Sequence, residues 1–174
     1  LFVGGGVIGA DQAEAVRSIV TQLGAPVTST LLGLGAVAAD AEGFLGFAGM
    51  HGSYAANMAI QGCDLLLCIG MRFSDRVTGI VSGFAPKARV VHFEIDEAEV
   101  NKNVRADYHV AGDLRWSLPR FQEKLAQRGV DYAAANREWL QQTMAKTKEH
   151  PFSYRPDGDV IKPGALIRKI SELS

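Results

Sequence analysis

The segment Cys63–Gly70, CDLLLCIG, restricts the fold more than any other. Its apolar residues run on without the alternation that a strand with one wet face needs, so an extended chain here is covered on both faces. Strands of that kind lie in parallel sheets between two layers of helices. The rest of the chain agrees. LFVGGG reads as a strand entering a glycine turn, and DQAEAVRSIVTQLG as a helix over 11–23, capped by Asp11 and stopped by Gly24. APVTST, ARVVHFEID and DYHVAG read as strands, while HGSYAANMAIQG, DLRWSLPRFQEKLAQRG and AAANREWLQQTMAKTKEH read as helices. Leu31 to Met50, with five glycines, reads as a loop. Trp116, Phe121 and Leu125 are taken as core positions of one helix. The alternation predicts an α/β, Rossmann-like fold: a doubly wound, mostly parallel six-stranded sheet with helices on both faces and ligands beyond the carboxyl ends of the strands.

Length bounds this to one domain, since 174 residues suffice for a single sizeable core. Residues 150–174 are expected to be a linker and the start of a further domain. Leu1 has no Met before it and opens inside a strand, so the chain is expected to be an excised fragment. Its compartment is then cytoplasmic in a bacterium and organellar in a eukaryote. Cys63 and Cys68 on one extended strand are too far apart for a disulfide, which suits a reducing compartment.

Charge excludes two classes of partner. A net charge of −1 leaves no surplus to hold nucleic acid or an anionic membrane surface. No apolar run approaches the roughly 18 to 20 residues of a membrane span. Of the 18 basic and 19 acidic side chains, residues 1–71 carry six, whereas residues 1–83 carry 15 of the 19 glycines. Glycine removes the Cβ obstacle, so the first half suits loops that approach a ligand or another protein closely.

Gly4, Gly6 and Gly9 spell GxGxxG after a strand and before a helix, the setting in which a pyrophosphate can rest on a helix N-terminus. The dinucleotide fingerprint also wants an acid at the end of the second strand, and here that strand ends in Thr28, Ser29 and Thr30. A glycine turn that packs helix on strand and a different nucleotide geometry both remain open. Arg72 and Arg76, with Asp75 between them, follow a buried strand and offer forks for phosphate or carboxylate, or else a surface ion pair. Glu94, Asp96 and Asp113 follow later strands, where ribose hydroxyls are read; Asp113 also suits a helix N-cap. His51, His92, His109 and the cysteines lack metal-ligand spacing, so no metal is expected, and His92 reads as a hydrogen-bonded core or edge residue. Lys102 and Arg105 lie in a solvated tract with reach toward a phosphate.

The stretch FAGMHGSYAANMAIQGCDLLLCIGMRFSDRVTG, followed by FAPKARVVHFEIDEAEVNKN and HVAGD, resembles the central domain of the acetohydroxyacid (acetolactate) synthase family, whose members depend on thiamine diphosphate. The likeness runs from VGGGVI and PVTSTLLGLG to IKPGALIRKISEL and is loose over 114–160. MHG together with RFxDRVTG is its specific part. It implies a domain that binds FAD in extended form, the flavin being required without net electron transfer. Implied flavin contacts are Gly4, Gly5, Gly6, Thr30, Leu31, Met50, His51, Gly70, Arg72, Ser74, Arg76, Val77, Glu94, Ile95 and Asp113. Met50, Asp75 and Arg76 resemble positions lining a channel where sulfonylurea-type inhibitors bind. Many members read RFDDR, so Ser74 replaces a carboxylate and keeps one hydrogen bond without the charge.

The implied reaction is decarboxylation of pyruvate and condensation with a second 2-keto acid, in branched-chain amino acid biosynthesis. The family's catalytic glutamate and its motif for Mg²⁺ and thiamine diphosphate belong to neighbouring domains, so no residue here is catalytic. Implied partners are those domains, further copies in a dimer or tetramer, and a regulatory small subunit. Two other functions fit the residues: an NAD- or FAD-linked oxidoreductase domain, and a flavin-free structural domain.

Overall fold

The computed structural model describes residues 1–153 and 160–173. Its strands are β1 (Phe2–Val3), β2 (Val27–Ser29), β3 (Phe44–Phe47), β4 (Leu65–Ile69), β5 (Arg89–Glu94) and β6 (Tyr108–Ala111). All pair in parallel, in the order β3-β2-β1-β4-β5-β6. The helices are α1 (Gly5–Gly9), α2 (Ala13–Leu23), α3 (Tyr54–Gly62), α4 (Asp75–Thr78), α5 (Leu114–Gln127), α6 (Tyr132–Glu149) and α7 (Pro163–Leu173).

The doubly wound, parallel expectation holds, and β4 shows why it was legible. Leu66 and Cys68 enter one core with Phe2, Val90 and the alanines of α3, while Leu67 and Ile69 enter the other with Val16, Ile19, Phe93 and Leu118. Both faces are dry, so neither needs polar residues. α2 ends at Gly24, whose φ of 56° is the left-handed stop that glycine adopts at little cost.

Four local expectations are corrected. Asp11 does not cap α2: it sits at φ 55°, and Gln12 at the cap position makes no side-chain bond to the helix. The glycine turn continues into the short helix α1. The sixth strand, β3, lies within the segment expected to be a loop; it is an edge strand with a register shift against β2, and Gly46 takes φ 88°. Trp116 is 56% exposed, with the Arg120 guanidinium 4.0 Å above its ring. The buried face of α5 carries Leu114 and Leu118 with Phe121 and Leu125 packed beside them, and Trp116 lies off that stripe.

α6 touches α2, α3 and β3. Three glycines receive it. A Cβ on Gly24 would stand 2.6 Å from Ala133 Cα, one on Gly62 3.1 Å from the Trp139 ring, and one on Gly43 3.1 Å from Leu140. Asn136 also donates to the Leu23 carbonyl at 2.8 Å. Between α6 and the amino ends of the strands lies an apolar chamber of about 430 Å³, bordered by Pro26, Leu65, Tyr132 and Trp139. α7 buries none of its residues.

Candidate nucleotide site at the carboxyl ends of the strands

The connections from β1 and β4 leave in opposite directions, so their carboxyl ends form a topological switch point, where open sheets of this kind receive ligands. A cleft of about 240 Å³ opens there. Gly6 and Gly9 line it from the turn after β1, Gly70 from β4, Glu94 and Ile95 from β5, and Asp113 with Arg115 from β6 and α5. The larger chamber beneath α6 lies at the opposite end of the strands and carries no comparable set of polar groups.

Each acid is held by its own backbone. Glu94 is buried, and its Oε1 accepts from the amides of Ile95 at 3.0 Å and Asp96 at 3.2 Å. Asp113 caps α5 by accepting from the Arg115 amide at 2.8 Å. The Arg115 guanidinium also bonds both its oxygens, at 2.6 to 3.1 Å. Those side-chain and backbone bonds hold the Asp113 carboxyl below the ordinary carboxylate value and push the Arg115 guanidinium up.

The glycine turn serves packing first. Gly4 donates to the Ile69 carbonyl and Gly6 to the Gly70 carbonyl, both at 2.9 Å, so these amides are committed to the β4 turn. A Cβ on Gly4 would overlap the Gly70 carbonyl oxygen and Met71 Cβ and stand 2.6 Å from Met71 Cα. Gly9 is different: a Cβ there would meet nothing within 4 Å, and it borders the cleft. Thr30 uses its hydroxyl to accept from the Gly33 amide, inside a 3₁₀ turn on which Leu31 is exposed.

The two halves of the MHG and RFxDRVTG pattern meet in space. The Met50 amide donates to the Arg76 carbonyl at 3.0 Å, and Gly49 lies so close to that carbonyl that no side chain would fit. Asn57 brackets Gly49, accepting from its amide at 2.9 Å and donating to its carbonyl at 3.0 Å. Beside them lies a second pocket of about 300 Å³, bordered by Met50, Asn57, Asp75, Val77 and Phe84. Arg76 reaches Met50 Sδ at 3.9 Å and Asp75 at only 4.0 Å, both in solvent. Ser74 precedes α4 and makes no side-chain capping bond.

Of the expected site residues, Gly6, Gly70, Glu94, Ile95 and Asp113 share the first cleft, and Met50, Asp75 and Val77 share the second pocket. Gly4, Gly5, Arg72, Ser74, Arg76, His51, Thr30 and Leu31 border neither. Arg72 is exposed; its carbonyl accepts from the Ser74 amide at 3.1 Å, and its guanidinium makes no hydrogen bond or ion pair among the described residues. Lys102 is engaged by Glu99 at 2.7 Å. Sequence reasoning missed Arg115 and Asn57, whose partners are visible only in three dimensions. The described residues hold no group of three or more metal-ligating side chains.

These groups suit a dinucleotide. Two carboxylates beside a glycine with open space can take ribose hydroxyls. The first cleft is smaller than the roughly 300 to 1,000 Å³ of drug-sized sites, so it fits one half of such a ligand.

Residues 1–121 match the family described as thiamine pyrophosphate enzyme, central domain. The chain belongs to this family. It is 43% identical over 172 residues, 99% of its length, to the acetolactate synthase isozyme 2 large subunit of Escherichia coli, covering 30% of that protein. It is 41% identical over its whole length to the acetolactate synthase large subunit of Parasynechococcus marenigrum, covering 28% of it. Chloroplastic acetolactate synthase 1 of Nicotiana tabacum is 37% identical over 178 residues, of which 26% of the tobacco protein is covered. The chain thus spans less than a third of the curated relatives it matches. Other domains of those relatives lie outside it, and no helix among the described residues is long and apolar enough to cross a membrane.

Proposed function

We propose that this chain is the FAD-binding central domain of an acetolactate synthase that condenses pyruvate with a second 2-keto acid. The observation that carries the proposal is the cleft at the switch point, where buried Glu94 and helix-capping Asp113 face the glycine turn. Glu94 and Asp113 would bind ribose hydroxyls, the pocket beside Met50 and Val77 would take the far end of the ligand, and Arg72, outside both pockets and with a guanidinium that has no partner among the described residues, would bind the pyrophosphate between them. Bound flavin supplies a required but non-redox contribution to the family's reaction. Thr30, Leu31, His51, Ser74 and Arg76 border neither pocket, so their contacts need neighbouring domains or a rearranged loop. Thiamine diphosphate and Mg²⁺ would sit in domains before and after this one, and residues 150–174 would lead into the latter. The full protein would assemble as a dimer or tetramer and take a regulatory small subunit.

One observation favours a flavin-free scaffold instead: Gly4 and Gly6 are already explained by packing against the β4 turn. A thermal-shift titration with FAD, ADP, FMN and NAD separates the readings. Ligand at 100 times its Kd stabilises the native state by about 2.7 kcal/mol. FAD and ADP are expected to raise Tm, with FMN inert and Glu94→Gln blunting the response. A shift with NAD alone would favour the oxidoreductase. Silence from all four in both the chain and the full-length enzyme would leave the scaffold.

A further inference from the structure

His92 lies at the fourth position of β5, wholly buried between Cys68 of β4 and His109 of β6 in register. Its Nε2 stands 2.8 Å from the Met71 carbonyl oxygen. A carbonyl only accepts, so Nε2 carries a proton and donates it to this bond. Nδ1 is buried with no partner. Leaving such an atom unpaired is costly, and an apolar residue in this strand would avoid that cost. What the imidazole gains in return lies on either side of its proton. Met71 is bonded to Arg72, and Glu94 Oε2 stands 3.8 Å from the same nitrogen.

The loop on the Met71 side is pinned at successive residues. Phe73 packs its ring on His92 at 4.9 Å and on Phe84 at 5.8 Å, and Asn103 donates to the Phe73 carbonyl at 2.6 Å. We infer that His92 is a positioning residue, whose Nε2–H ties the Met71 carbonyl ahead of Arg72 to the neighbourhood of the Glu94 carboxylate, so that the phosphate-side and ribose-side groups of the nucleotide site hold one spacing. This rests on the nucleotide-binding proposal above.

The test is a calorimetric titration of the chain with ADP, comparing wild type, His92→Leu and His92→Gln. Leu fills the space without a donor, whereas the Gln amide nitrogen can stand where Nε2 stands. The loss of one buried hydrogen bond predicts about tenfold weaker ADP binding for His92→Leu, with His92→Gln within about threefold of wild type. Wild-type affinity in a folded His92→Leu variant, or equal weakening in both variants, overturns the inference. If His92→Leu does not fold, ¹⁵N NMR of the wild-type imidazole decides. A protonated Nε2 whose resonance moves on adding ADP supports the tie; an Nδ1–H tautomer or an unmoved resonance overturns it. Absence of ADP binding by wild type, in the chain and in the full-length enzyme alike, sinks the nucleotide proposal, and this inference with it, before any variant is compared.

Discussion

Substituting Ala for Gly4 tests whether the glycine turn is shaped by packing or by a ligand. The backbone at Gly4 has φ −110° and ψ −179°, which any residue adopts, so the obstacle is space alone. The added methyl would overlap the Gly70 carbonyl oxygen and Met71 Cβ and stand 2.6 Å from Met71 Cα. Backbone on both sides cannot swing away as a flexible side chain would. Relief requires moving β1 from β4, which lengthens the bonds from Gly4 to Ile69 and from Gly6 to Gly70, each 2.9 Å. Overpacking costs about 1 to 3 kcal/mol and each weakened bond about 1 kcal/mol, giving about 3 to 5 kcal/mol in all. That is a large part of the roughly 5 to 15 kcal/mol available to a domain. Gly9→Ala is the matched control, because its methyl meets nothing within 4 Å and the residue is helical. There the change is expected to stabilise by about 0.5 to 1 kcal/mol. Urea unfolding followed by circular dichroism measures both. A Gly4→Ala variant within about 1 kcal/mol of wild type, at unchanged m, would refute the packing account.

Asn57→Ala removes both side-chain bonds to the Gly49 backbone and is expected to cost about 1 to 3 kcal/mol, with faster hydrogen exchange at Gly49 and Met50; unchanged exchange would count against the bracket. Arg115→Gln is expected to raise the Asp113 carboxyl toward its ordinary 3.8, read by ¹³C NMR. Because the folded value is depressed, this carboxylate's contribution to stability is complete above the ordinary value and is lost as pH falls through the folded one. A midpoint unmoved by the substitution would show that Arg115 is not the cause. Burial pushes both the Cys63 and Cys68 thiols up, so a thiol reagent at pH 8 is expected to label neither until urea unfolds the chain; rapid labelling of the folded chain would contradict their burial.

The sheet was legible where burial is two-sided and hidden where it is not. Leu65–Ile69 announced a central parallel strand because both its faces are covered. Phe44–Phe47 did not, since it has one neighbour, a register shift and a left-handed Gly46, and so resembles a loop in composition. Trp116 was misplaced because it stands five positions before Phe121, an offset that turns it well away from the buried stripe. Glu94 and Asp113 could be found from their position at the carboxyl end of a strand, Glu94 closing β5 and Asp113 following β6. Arg115 could not, because a salt bridge to the cap two residues earlier has no periodic signature. His92 was read correctly as a hydrogen-bonded core residue, but its acceptor lies 21 residues away on the next strand's loop. Sheet order alone brings those two together.

The three glycines that receive α6 also fix where this domain can be cut. The family match stops at residue 121, yet a chain ended there would bare the facets of Gly24, Gly43 and Gly62 and open the chamber of about 430 Å³ to water along its Trp139 wall. The family match and the packed body therefore have different lengths here: the matched part is the front of the domain, and α6 beyond it supplies the cover for these glycines and the chamber wall. Substitutions on the exposed outer side of α6 are expected to change stability by no more than about 0.5 kcal/mol. At Ala133, Trp139 and Leu140 they meet a surface already shaped to one size of side chain.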